Sequence, residues 1–546
     1  MKRYFAYFLA LVCLLGLTAC GDKDAQETEP SVVPAPPTNL QYMAKVRMSG
    51  LYGLINESGN LILPCEYDRI GNEFHDGRIS LKDAEGKWGF ADGSGTVVVA
   101  PQYEDVYDFS NGLASVKENG KWGYIDREGN MVIPPRFEDV CYFSDEGIAL
   151  VQQNGLLGYI DDLGSFIVDP QYEAVALYKD GTIETISRLN LNQSSSEATE
   201  ADKDHPENIM VNKAPRRHLC DARVLGCRYF DTNGLACVCK DKLWGSVSKV
   251  GSIVIPLQFA NRYHFSENGL AAVVKDNKAG YIDRNGQYVI SATFDHAGNF
   301  DGDIAIVSQG GKDGIIDKSA VFLVPPAYDS IWSFTKDGIA RVKNNDKIGY
   351  IDRTGTVIFA PQFDFGYDFE NGIADVRQGD LWGCVDRNGN IIAEPQFTHP
   401  AVFDNGILRV VKDGKYGYMD SLGNWLIPAQ FDSLWFFSGS GIAAACIDGK
   451  WGFIDRAGQF VVEPKYDDAS NFSEYGTAWV RIDDHYSLVD TTGTPLVDTQ
   501  FDDCDSFSAN GLAAVEYGGL WGYIDWEGNI VIQPQFQSAY EFIPVL

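Results

Sequence analysis

The stretch "KWGYIDREGN", residues 121–130, decides the fold because the chain repeats it. It returns as "KWGFIDRAGQ" at 450–459 and as "LWGYIDWEGN" at 520–529. The glycine of this phrase recurs in steps that are mostly 34 or 35 residues, at Gly53, Gly89, Gly123, Gly158, Gly245, Gly280, Gly314, Gly349, Gly383, Gly417, Gly452 and Gly522. A fixed period of this size predicts a repeat architecture.

Two steps between these glycines are longer than the period. The step from Gly452 to Gly522 is 70 residues and holds a degenerate copy, "YSLVDTTG". The step from Gly158 to Gly245 is 87 residues, which corresponds to two repeats and about 17 further residues. The spacing therefore predicts a tandem array of about fourteen units of ~35 residues, from Tyr42 to the C-terminus.

One unit, residues 101–133, has the pattern of an antiparallel β-meander. Its apolar runs "EDVYDF", "LASV", "WGYID" and "MVI" are short strands separated by turn residues. Asn111-Gly112 suits a turn because both residues tolerate positive φ. An aspartate recurs at one turn position, which predicts turn formers rather than catalytic acids: Asp126, Asp161, Asp283, Asp352, Asp386, Asp420, Asp455 and Asp525.

A single unit of this size cannot bury its own apolar face, whereas stacked units cover one another. The Trp-Gly pair is then a packing device, and the in-register tryptophans belong to the shared core: Trp88, Trp122, Trp244, Trp382, Trp451 and Trp521. A glycine within a strand, such as Gly123, indicates that a neighbouring backbone or ring approaches closely. The sequence predicts an all-β chain.

The phrases resemble WG repeats, a bacterial repeat family with the pattern W-G-[YF]-I-D-x-x-G-x-x-V-I-x-P. Residues 122–151 match closely, and 382–411 and 451–480 match with small slips. The resemblance covers 42–546. It implies an all-β domain that acts as an interaction or binding module without a known catalytic centre, and it carries over no functional residue. Both an open superhelical solenoid and a propeller-like arrangement are compatible with it.

The N-terminal segment has the features of a secretion signal. Lys2 and Arg3 precede an apolar run from Tyr4 to Leu17, which as a helix spans about 21 Å, less than a bilayer core of about 30 Å. "LTAC" resembles a lipoprotein cleavage site and implies that 1–19 are removed and that Cys20 is lipidated; the alternative is an ordinary signal peptide. Residues 20–41, with their prolines and acids, predict a flexible tether.

The net charge and the predicted signal peptide restrict the class of partner and the location of the protein. The formal net charge of −32 disfavours nucleic acid, whose binding needs a basic surface. A signal peptide and a lipidated Cys20 predict a membrane-anchored protein on the extracytoplasmic side of the cell envelope, in the periplasm or at the cell surface. We expect this protein to be a monomer.

The repeat pattern is interrupted by the polar stretch 188–207, for which a surface insertion, a recognition loop and a protease-sensitive hinge are all open readings. Cys220, Cys227, Cys237 and Cys239 follow it. Buried thiols, disulfides and a metal site are the alternatives, although the spacing fits zinc motifs poorly.

One variable column of the repeat is a candidate binding surface. It lies two residues before the repeat Phe and holds aromatic residues in several units: Tyr107, Tyr263, Trp332, Tyr367, Trp435 and Tyr540. Cys141, Gly298 and Asp505 occupy it in others. Aromatic faces along a groove can stack on sugars or grip peptide side chains; variable core filling is the alternative. Trp526, at a turn, is predicted to be the most exposed tryptophan and is a further candidate binding residue; an ordinary surface aromatic is the alternative.

The sequence contains no recognisable catalytic signature. The seven histidines share no register, and phosphate-loop, dinucleotide and metallopeptidase motifs do not occur. We expect no catalytic residue, metal or cofactor. The prediction is a binding or scaffolding module for a protein or glycan partner; the alternatives are a carbohydrate-active enzyme or accessory subunit, and a structural spacer without a ligand. In an enzyme, acidic residues that depart from the repeat pattern should cluster at one place. In a binding protein, aromatic residues that depart from the pattern should lie along a line.

Overall fold

The computed structural model describes residues 41–179, 182–187 and 229–545. These residues form 51 strands and no helix. The strands are arranged in thirteen antiparallel sheets, numbered here in chain order.

The first five sheets lead up to and include the interrupted region. Sheet 1 contains β1 (Tyr42–Met48), β2 (Leu51–Asn56), β3 (Leu61–Tyr67) and the last strand of the chain, β51 (Ser538–Pro544). Sheet 2 contains β4 (Arg69–Ile70), β5 (Arg78–Lys82), β6 (Trp88–Asp92) and β7 (Val97–Tyr103). Sheet 3 contains β8 (Asp105–Val106), β9 (Leu113–Glu118), β10 (Lys121–Asp126) and β11 (Met131–Phe137). Sheet 4 contains β12 (Asp139–Val140), β13 (Ile148–Gln153), β14 (Leu156–Asp161) and β15 (Phe166–Tyr172). Sheet 5 contains β16 (Ala174–Lys179), β17 (Thr182–Ser187), β18 (Leu235–Lys240), β19 (Leu243–Ser248) and β20 (Ile253–Phe259).

The next four sheets repeat the same order. Sheet 6 contains β21 (Ala271–Lys275), β22 (Lys278–Ile282) and β23 (Tyr288–Phe294). Sheet 7 contains β24 (His296–Ala297), β25 (Ile304–Gln309), β26 (Lys312–Asp317) and β27 (Phe322–Tyr328). Sheet 8 contains β28 (Ser330–Ile331), β29 (Ile339–Asn344), β30 (Lys347–Asp352) and β31 (Val357–Phe363). Sheet 9 contains β32 (Phe365–Gly366), β33 (Ile373–Gln378), β34 (Leu381–Asp386) and β35 (Ile391–Phe397).

The last four sheets complete the array. Sheet 10 contains β36 (Val402–Asp404), β37 (Ile407–Lys412), β38 (Lys415–Asp420) and β39 (Trp425–Phe431). Sheet 11 contains β40 (Ser433–Leu434), β41 (Ala443–Ile447), β42 (Lys450–Ile454) and β43 (Phe460–Tyr466). Sheet 12 contains β44 (Asp468–Ala469), β45 (Thr477–Ile482) and β46 (His485–Asp490). Sheet 13 contains β47 (Asp503–Cys504), β48 (Leu512–Tyr517), β49 (Leu520–Asp525) and β50 (Ile530–Phe536).

Local turn chemistry produces the meander predicted from the sequence. In sheet 3 the hairpin between β9 and β10 turns at Asn119 and Gly120, both of which have positive φ. At the next turn the Asp126 carboxylate accepts hydrogen bonds from the backbone N–H groups of Glu128 and Asn130. The recurrent aspartates are therefore turn formers, as predicted.

The glycine of the Trp-Gly pair allows two strands to approach closely. A Cβ on Gly123 would lie 2.4 Å from the carbonyl oxygen of Ile133 in β11. At this point the register between β10 and β11 shifts, since Trp122 faces Phe137 but Tyr124 faces Ile133. The extra residues bulge towards Gly123, so no side chain fits there.

Each apolar core is shared by two successive sheets. Phe90 and Tyr103 of sheet 2 form one buried cluster with Phe109 and Ile125 of sheet 3. Trp122 is completely buried in the next cluster. Of the other in-register tryptophans, Trp244 is buried and the rest are half-buried, namely Trp88, Trp382, Trp451 and Trp521. Neighbouring units therefore cover one another, and the tryptophan is a packing residue.

The two ends of the array pair with each other. β51 pairs antiparallel with β1, with Met43 opposite Ile543 and Ala44 opposite Phe542. The N–H of Gln537 donates to the carbonyl of Arg47 just before this pairing. Sheet 1 is thus assembled from both ends of the repeat domain, and the thirteen sheets form a propeller-like ring rather than an open solenoid.

Thirteen sheets are observed in the described residues, against the fourteen units expected from the glycine spacing. The difference lies in the long step between Gly158 and Gly245, where β16 pairs with β18 so that β16–β20 form one five-stranded sheet. The predicted insertion 188–207 falls outside the described residues.

Candidate functional site

The variable column lies at one edge of successive sheets. Backbone hydrogen bonds place its members alike: the N–H of Tyr107 donates to the Ser115 carbonyl and that of Trp435 to the Ala444 carbonyl. Both bonds join the residue after the short first strand to the second strand. The prediction that these positions are equivalent holds at the level of the backbone.

The side chains of the column nevertheless divide into two groups, and the first group points into the core. Tyr107 stacks in parallel on Trp122, with 4.6 Å between ring centroids. Tyr263 is buried, and its hydroxyl lies 2.8 Å from the Ser246 Oγ. Trp332 is half-buried beneath the guanidinium of Arg341, 4.8 Å from its ring centroid. For Tyr107 and Tyr263, the structure supports the alternative of core filling.

The second group is open to solvent. The exposed fractions are 41% for Tyr367, 47% for Trp435 and 40% for Tyr540. Tyr367 rests on Trp382 with 5.4 Å between centroids, and Tyr540 lies 4.8 Å from the Lys45 Nζ, so each ring keeps one supported face. Such rings are held in place yet available for stacking.

The prediction that Trp526 is the most exposed tryptophan is wrong. Trp526 is half-buried because it stacks on Tyr475, with 5.9 Å between the ring centroids and 8° between the ring planes. In the described part of the chain the exposed tryptophans are Trp425 and Trp435. The turn position of Trp526 indicated exposure, but the ring of Tyr475 from the preceding unit covers one face of its indole.

A buried tyrosine normally joins each sheet to the next. The hydroxyl of Tyr124 donates to the carbonyl of Cys141, and that of Tyr350 donates to the carbonyl of Tyr367. The same hydrogen bond, from a tyrosine hydroxyl to the carbonyl seventeen residues later in the chain, is made by Tyr281, Tyr418 and Tyr523. The tyrosine of the W-G-Y phrase therefore both fills the space between sheets and fixes the column residue of the next sheet.

Two units have a small residue in place of this tyrosine, with different consequences. In sheet 5 the residue is Ser246, and the ring of Tyr263 occupies the space beside it. In sheet 9 it is Cys384, and the residue two positions before the next repeat Phe is Ala401, which has no ring to supply. Across from Cys384 in the neighbouring strand stands Asp375. Three departures from the repeat, Asp375, Cys384 and Ala401, thus meet at one place.

A pocket of about 730 Å³ opens beside these residues. Its walls come from three successive sheets: 335–337 of sheet 8, 367–375 of sheet 9 and 401–408 of sheet 10. Tyr367 and Phe403 provide aromatic surface, and Asp375 provides a carboxylate. The pocket is therefore large enough for a small molecule or a long side chain.

The charge of the pocket wall is negative. It includes the carboxylates of Asp337, Asp368, Glu370 and Asp375 and the ammonium of Lys336. Arg341 forms an ion pair with Asp368, and the N–H of Gly372 donates to Asp337. Asp375 has no ion-pair partner within 4.0 Å among the described residues and accepts hydrogen bonds only from neutral donors, the thiol of Cys384 and the N–H of Ala401.

Burial raises the pKa of the Asp375 carboxyl from 3.8 to about 6, against the smaller opposing effect of the hydrogen bonds from Cys384 and Ala401. The folded state therefore favours the protonated acid. The stabilisation that comes from this proton is complete below pH 4 and is lost as the pH rises through 6. At neutral pH the Asp375 carboxylate is ionised although it is partly buried, and this lowers the free energy of unfolding.

Replacing Asp375 with Asn should therefore stabilise the protein at neutral pH. Asn keeps the Oδ1 acceptor for Cys384 and Ala401 but carries no charge. We expect the free energy of unfolding of Asp375→Asn to exceed that of the parent by about 2 kcal/mol at pH 7.5 and to equal it at pH 4. Denaturant unfolding at both pH values measures the difference.

Asp386, a turn aspartate of the same sheet, is the matched control. Slight burial opposes ionisation there, but hydrogen bonds from Asn390 and Asn388 lower the pKa of its carboxyl. Asp386→Asn should therefore lose stability at pH 7.5 relative to pH 4, the opposite trend. If the change in the free energy of unfolding varied with pH in the same direction for both variants, the raised pKa of Asp375 would be contradicted.

Other predicted sites lie partly outside the described residues. Cys237 and Cys239 are free, buried thiols, and both pack in one core cluster. Cys220, Cys227, Cys20 and the segments 1–19 and 188–207 fall outside the described part of the chain, as does nearly all of 20–41. Within the described ranges, no helix is long and apolar enough to span a bilayer.

The sequence analysis did not single out Asp375 or Cys384. The signal was present: the second-strand position of Asp375 holds neutral residues such as Ser115 in some units and Arg341 and Arg409 in others, so Asp375 is the acid of this column in the described sheets, and Cys384 stands where most units have an aromatic ring. A comparison of the paired columns on adjacent strands, rather than of single columns, would have found the pair.

A family model described as WG containing repeat matches the chain in thirteen segments: 52–83, 88–122, 122–156, 158–184, 244–278, 280–312, 314–347, 348–382, 382–416, 416–451, 451–486, 486–521 and 521–543. Most segments run from the Trp-Gly strand of one sheet to the same strand of the next, and together they account for most of the chain. A search of the curated proteins finds no match.

Solved structures provide only distant likenesses. A crystal structure of the eukaryotic initiation factor is 11% identical and covers 57% of this chain and 98% of its own, with a TM-score of 0.28. BamB from Moraxella catarrhalis is 11% identical over 53% of this chain and 92% of its own, with a TM-score of 0.20. The extracellular domain of the putative one component system BT4673 from B. thetaiotaomicron is 11% identical over 91% of this chain and 76% of its own, with a TM-score of 0.20. Scores this low carry no argument about this chain.

Proposed function

The chain belongs to the WG-containing repeat family, and from this premise we propose that it is a lipid-anchored binding module that holds a protein or glycan partner at the cell envelope. The signal-like segment 1–19 and Cys20 support export and anchoring. The formal net charge of −32 supports partners other than nucleic acid. β1 is paired on both sides, with β2 and β51, so it offers no free edge to a second copy, which supports a monomer.

The observation that carries this proposal is the exposed part of the aromatic column. Tyr367, Trp435 and Tyr540 belong to sheets 9, 11 and 1, and they occupy the same edge position in each sheet. Tyr367 and Trp435 are more than a third exposed, although buried apolar rings are the rule in this chain. Ring faces spaced along one edge suit a ligand that contacts several repeats, because weak contacts on successive units add in affinity.

Binding is favoured over catalysis by the state of the carboxylates near the exposed part of the aromatic column. Hydrolysis of a glycosidic bond needs two carboxyl groups with separate roles. Asp368 is paired with Arg341, and Asp337 accepts the N–H of Gly372. Two acids of the pocket wall are left without an ion pair, and of these Glu370 is exposed, whereas Asp375 is half-buried and held by hydrogen bonds from Cys384 and Ala401, so only one of the two is fixed in place. We therefore propose recognition, and neither a carbohydrate-active enzyme nor a spacer.

Loss of one exposed ring should weaken partner binding. The protein from residue 42 onwards is screened on a glycan array and against purified envelope proteins, and affinity is then measured for the strongest ligand. Trp435→Ala should reduce that affinity at least about tenfold, because a central exposed Trp is a common energetic anchor of an interface.

Trp425→Ala is the matched control. Trp425 is 38% exposed but lies on β39, at the opposite edge of sheet 10. Its substitution should leave affinity unchanged. Equal losses in the two variants, or full binding by Trp435→Ala, would contradict a binding role for the column.

A further inference from the structure

We propose that the pocket between sheets 8, 9 and 10 binds a positively charged amine, with the ammonium group beside Asp375 and its apolar stem against Tyr367 and Phe403. This inference rests on the proposed function and deepens it by naming the chemical group that a ligand presents. The same group can come from a free alkylamine or from a lysine side chain of a partner protein.

The first support is how the pocket forms. In most units a ring fills the position of Cys384, and where it is Ser246 the ring of Tyr263 fills the neighbouring space. At Cys384 neither occurs, since the residue two positions before the next repeat Phe is Ala401. Cys384 itself is buried in an apolar cluster, but its neighbours Asp375 and Ala401 line the pocket, so a carboxylate borders a wall that is otherwise partly apolar. A carboxylate at this place disfavours a purely apolar occupant.

The second support is the pairing of charges around the pocket. Asp368 is neutralised by Arg341 from the preceding sheet. Asp337 accepts the N–H of Gly372 and lies 4.0 Å from the Arg387 guanidinium. Asp375 and the exposed Glu370 have no cationic partner among the described residues, and of the two Asp375 is the half-buried one. The hydrogen bonds that Asp375 accepts from Cys384 and Ala401 leave acceptor capacity on a carboxylate, which has about four lone-pair sites. An ammonium group supplies both the missing charge and the missing donors.

The third support is the wall chemistry. Tyr367 is 41% exposed and Phe403 is half-buried, and both line the pocket. Aromatic faces attract cations, and they also cover the methylene groups of an alkylammonium stem. Carboxylate and aromatic surface together favour an alkylated cation over a bare metal ion.

The test uses n-butylammonium chloride, with 1-butanol as its neutral counterpart, in saturation-transfer NMR at pH 7.5. We expect n-butylammonium to bind and 1-butanol to bind at least about tenfold more weakly. Asp375→Asn should reduce n-butylammonium binding at least about tenfold, while the turn variant Asp386→Asn should leave it unchanged. Cys384→Tyr, which restores the usual ring, should also abolish binding.

Two peptides distinguish the sources of the amine. Glycyl-lysyl-glycine amide carries the ammonium on a side chain, and its norleucine analogue lacks it; both are N-acetylated. Binding of the lysine peptide alone points to a partner protein, whereas binding of only n-butylammonium points to a free amine, and either supports the pocket assignment. Equal binding of amine and alcohol, or undiminished binding by Asp375→Asn, would overturn it. Because Trp435→Ala leaves this pocket intact, failure here does not decide the proposed function.

Discussion

A chain that ends at Gln537 should lose its closed ring and a large part of its stability. The missing residues include β51, which provides the edge partner of β1. Phe542 is 3% exposed and Ala539 is 8% exposed, and both belong to a core cluster with Tyr523 and Ile532 of sheet 13. Without them, sheets 1 and 13 no longer share a core.

The size of the effect follows from what the strand buries. Truncating a buried Phe to Ala costs about 3–5 kcal/mol, so Phe542→Ala alone should cost that much. Removing all of β51 should cost more, because five backbone pairings with β1 are lost as well. The free edge of β1 also becomes a template for pairing with another chain.

Hydrogen exchange and light scattering measure both consequences. In the truncated chain, amides of 42–48 should lose protection, and part of the protein should form dimers or larger species. Tyr540→Ala is the matched point control for Phe542→Ala, since Tyr540 lies on the same strand but is 40% exposed; it should cost less than about 1 kcal/mol. A truncated chain that keeps its protection at 42–48 would show that closure does not stabilise the array.

The closure could have been read from the two ends of the sequence, although the sequence analysis left it open. The first strands at the N-terminus, β1 to β3, lack the short first strand that opens most other units. Residues 538–545, "SAYEFIPV", have the pattern of that opening strand. The structure pairs this segment, as β51, with β1, so one unit is divided between the two ends of the array.

The repeat itself was predictable because its causes are local. Asp126 and Gly129 specify a turn by side-chain hydrogen bonding and by positive φ, whatever surrounds them. Trp122 and Gly123 were assigned to packing because they recur with the period. The structure places them as predicted, since a residue that occurs in every unit must satisfy the contact that every unit makes.

The direction of each column side chain was not predictable, because it depends on a neighbouring unit. Tyr107 and Tyr367 share a position and a residue type, yet one is half-buried and the other 41% exposed. Tyr263 turns inwards because Ser246 leaves room for it. The pocket was not predicted for the same reason, because it depends on residues from different strands. Neither Asp375 nor Cys384 indicates a site alone, and the pairing of β33 with β34 places them opposite each other.

Substitution of the strand glycine should also be strongly destabilising. Gly123→Ala would place a Cβ 2.4 Å from the Ile133 carbonyl oxygen and 2.7 Å from the Pro135 nitrogen. Both atoms belong to the backbone of β11 and cannot rotate away. The clash is relieved only by moving β11, whose Ile133 and Phe137 are buried in the cluster shared with sheet 4.

We expect Gly123→Ala to lower the free energy of unfolding by about 3 kcal/mol, at the upper end of overpacking costs. This loss outweighs the gain of about 0.5–1 kcal/mol that Ala usually brings by restricting the unfolded chain. Gly439→Ala provides the control, because a Cβ there meets no atom within 4 Å and its φ is not left-handed. Denaturant unfolding of both variants, with hydrogen exchange at 131–137, measures the effect. Similar stabilities for the two would mean that β11 yields to the added methyl group and that the Trp-Gly glycine does not set the distance between these strands.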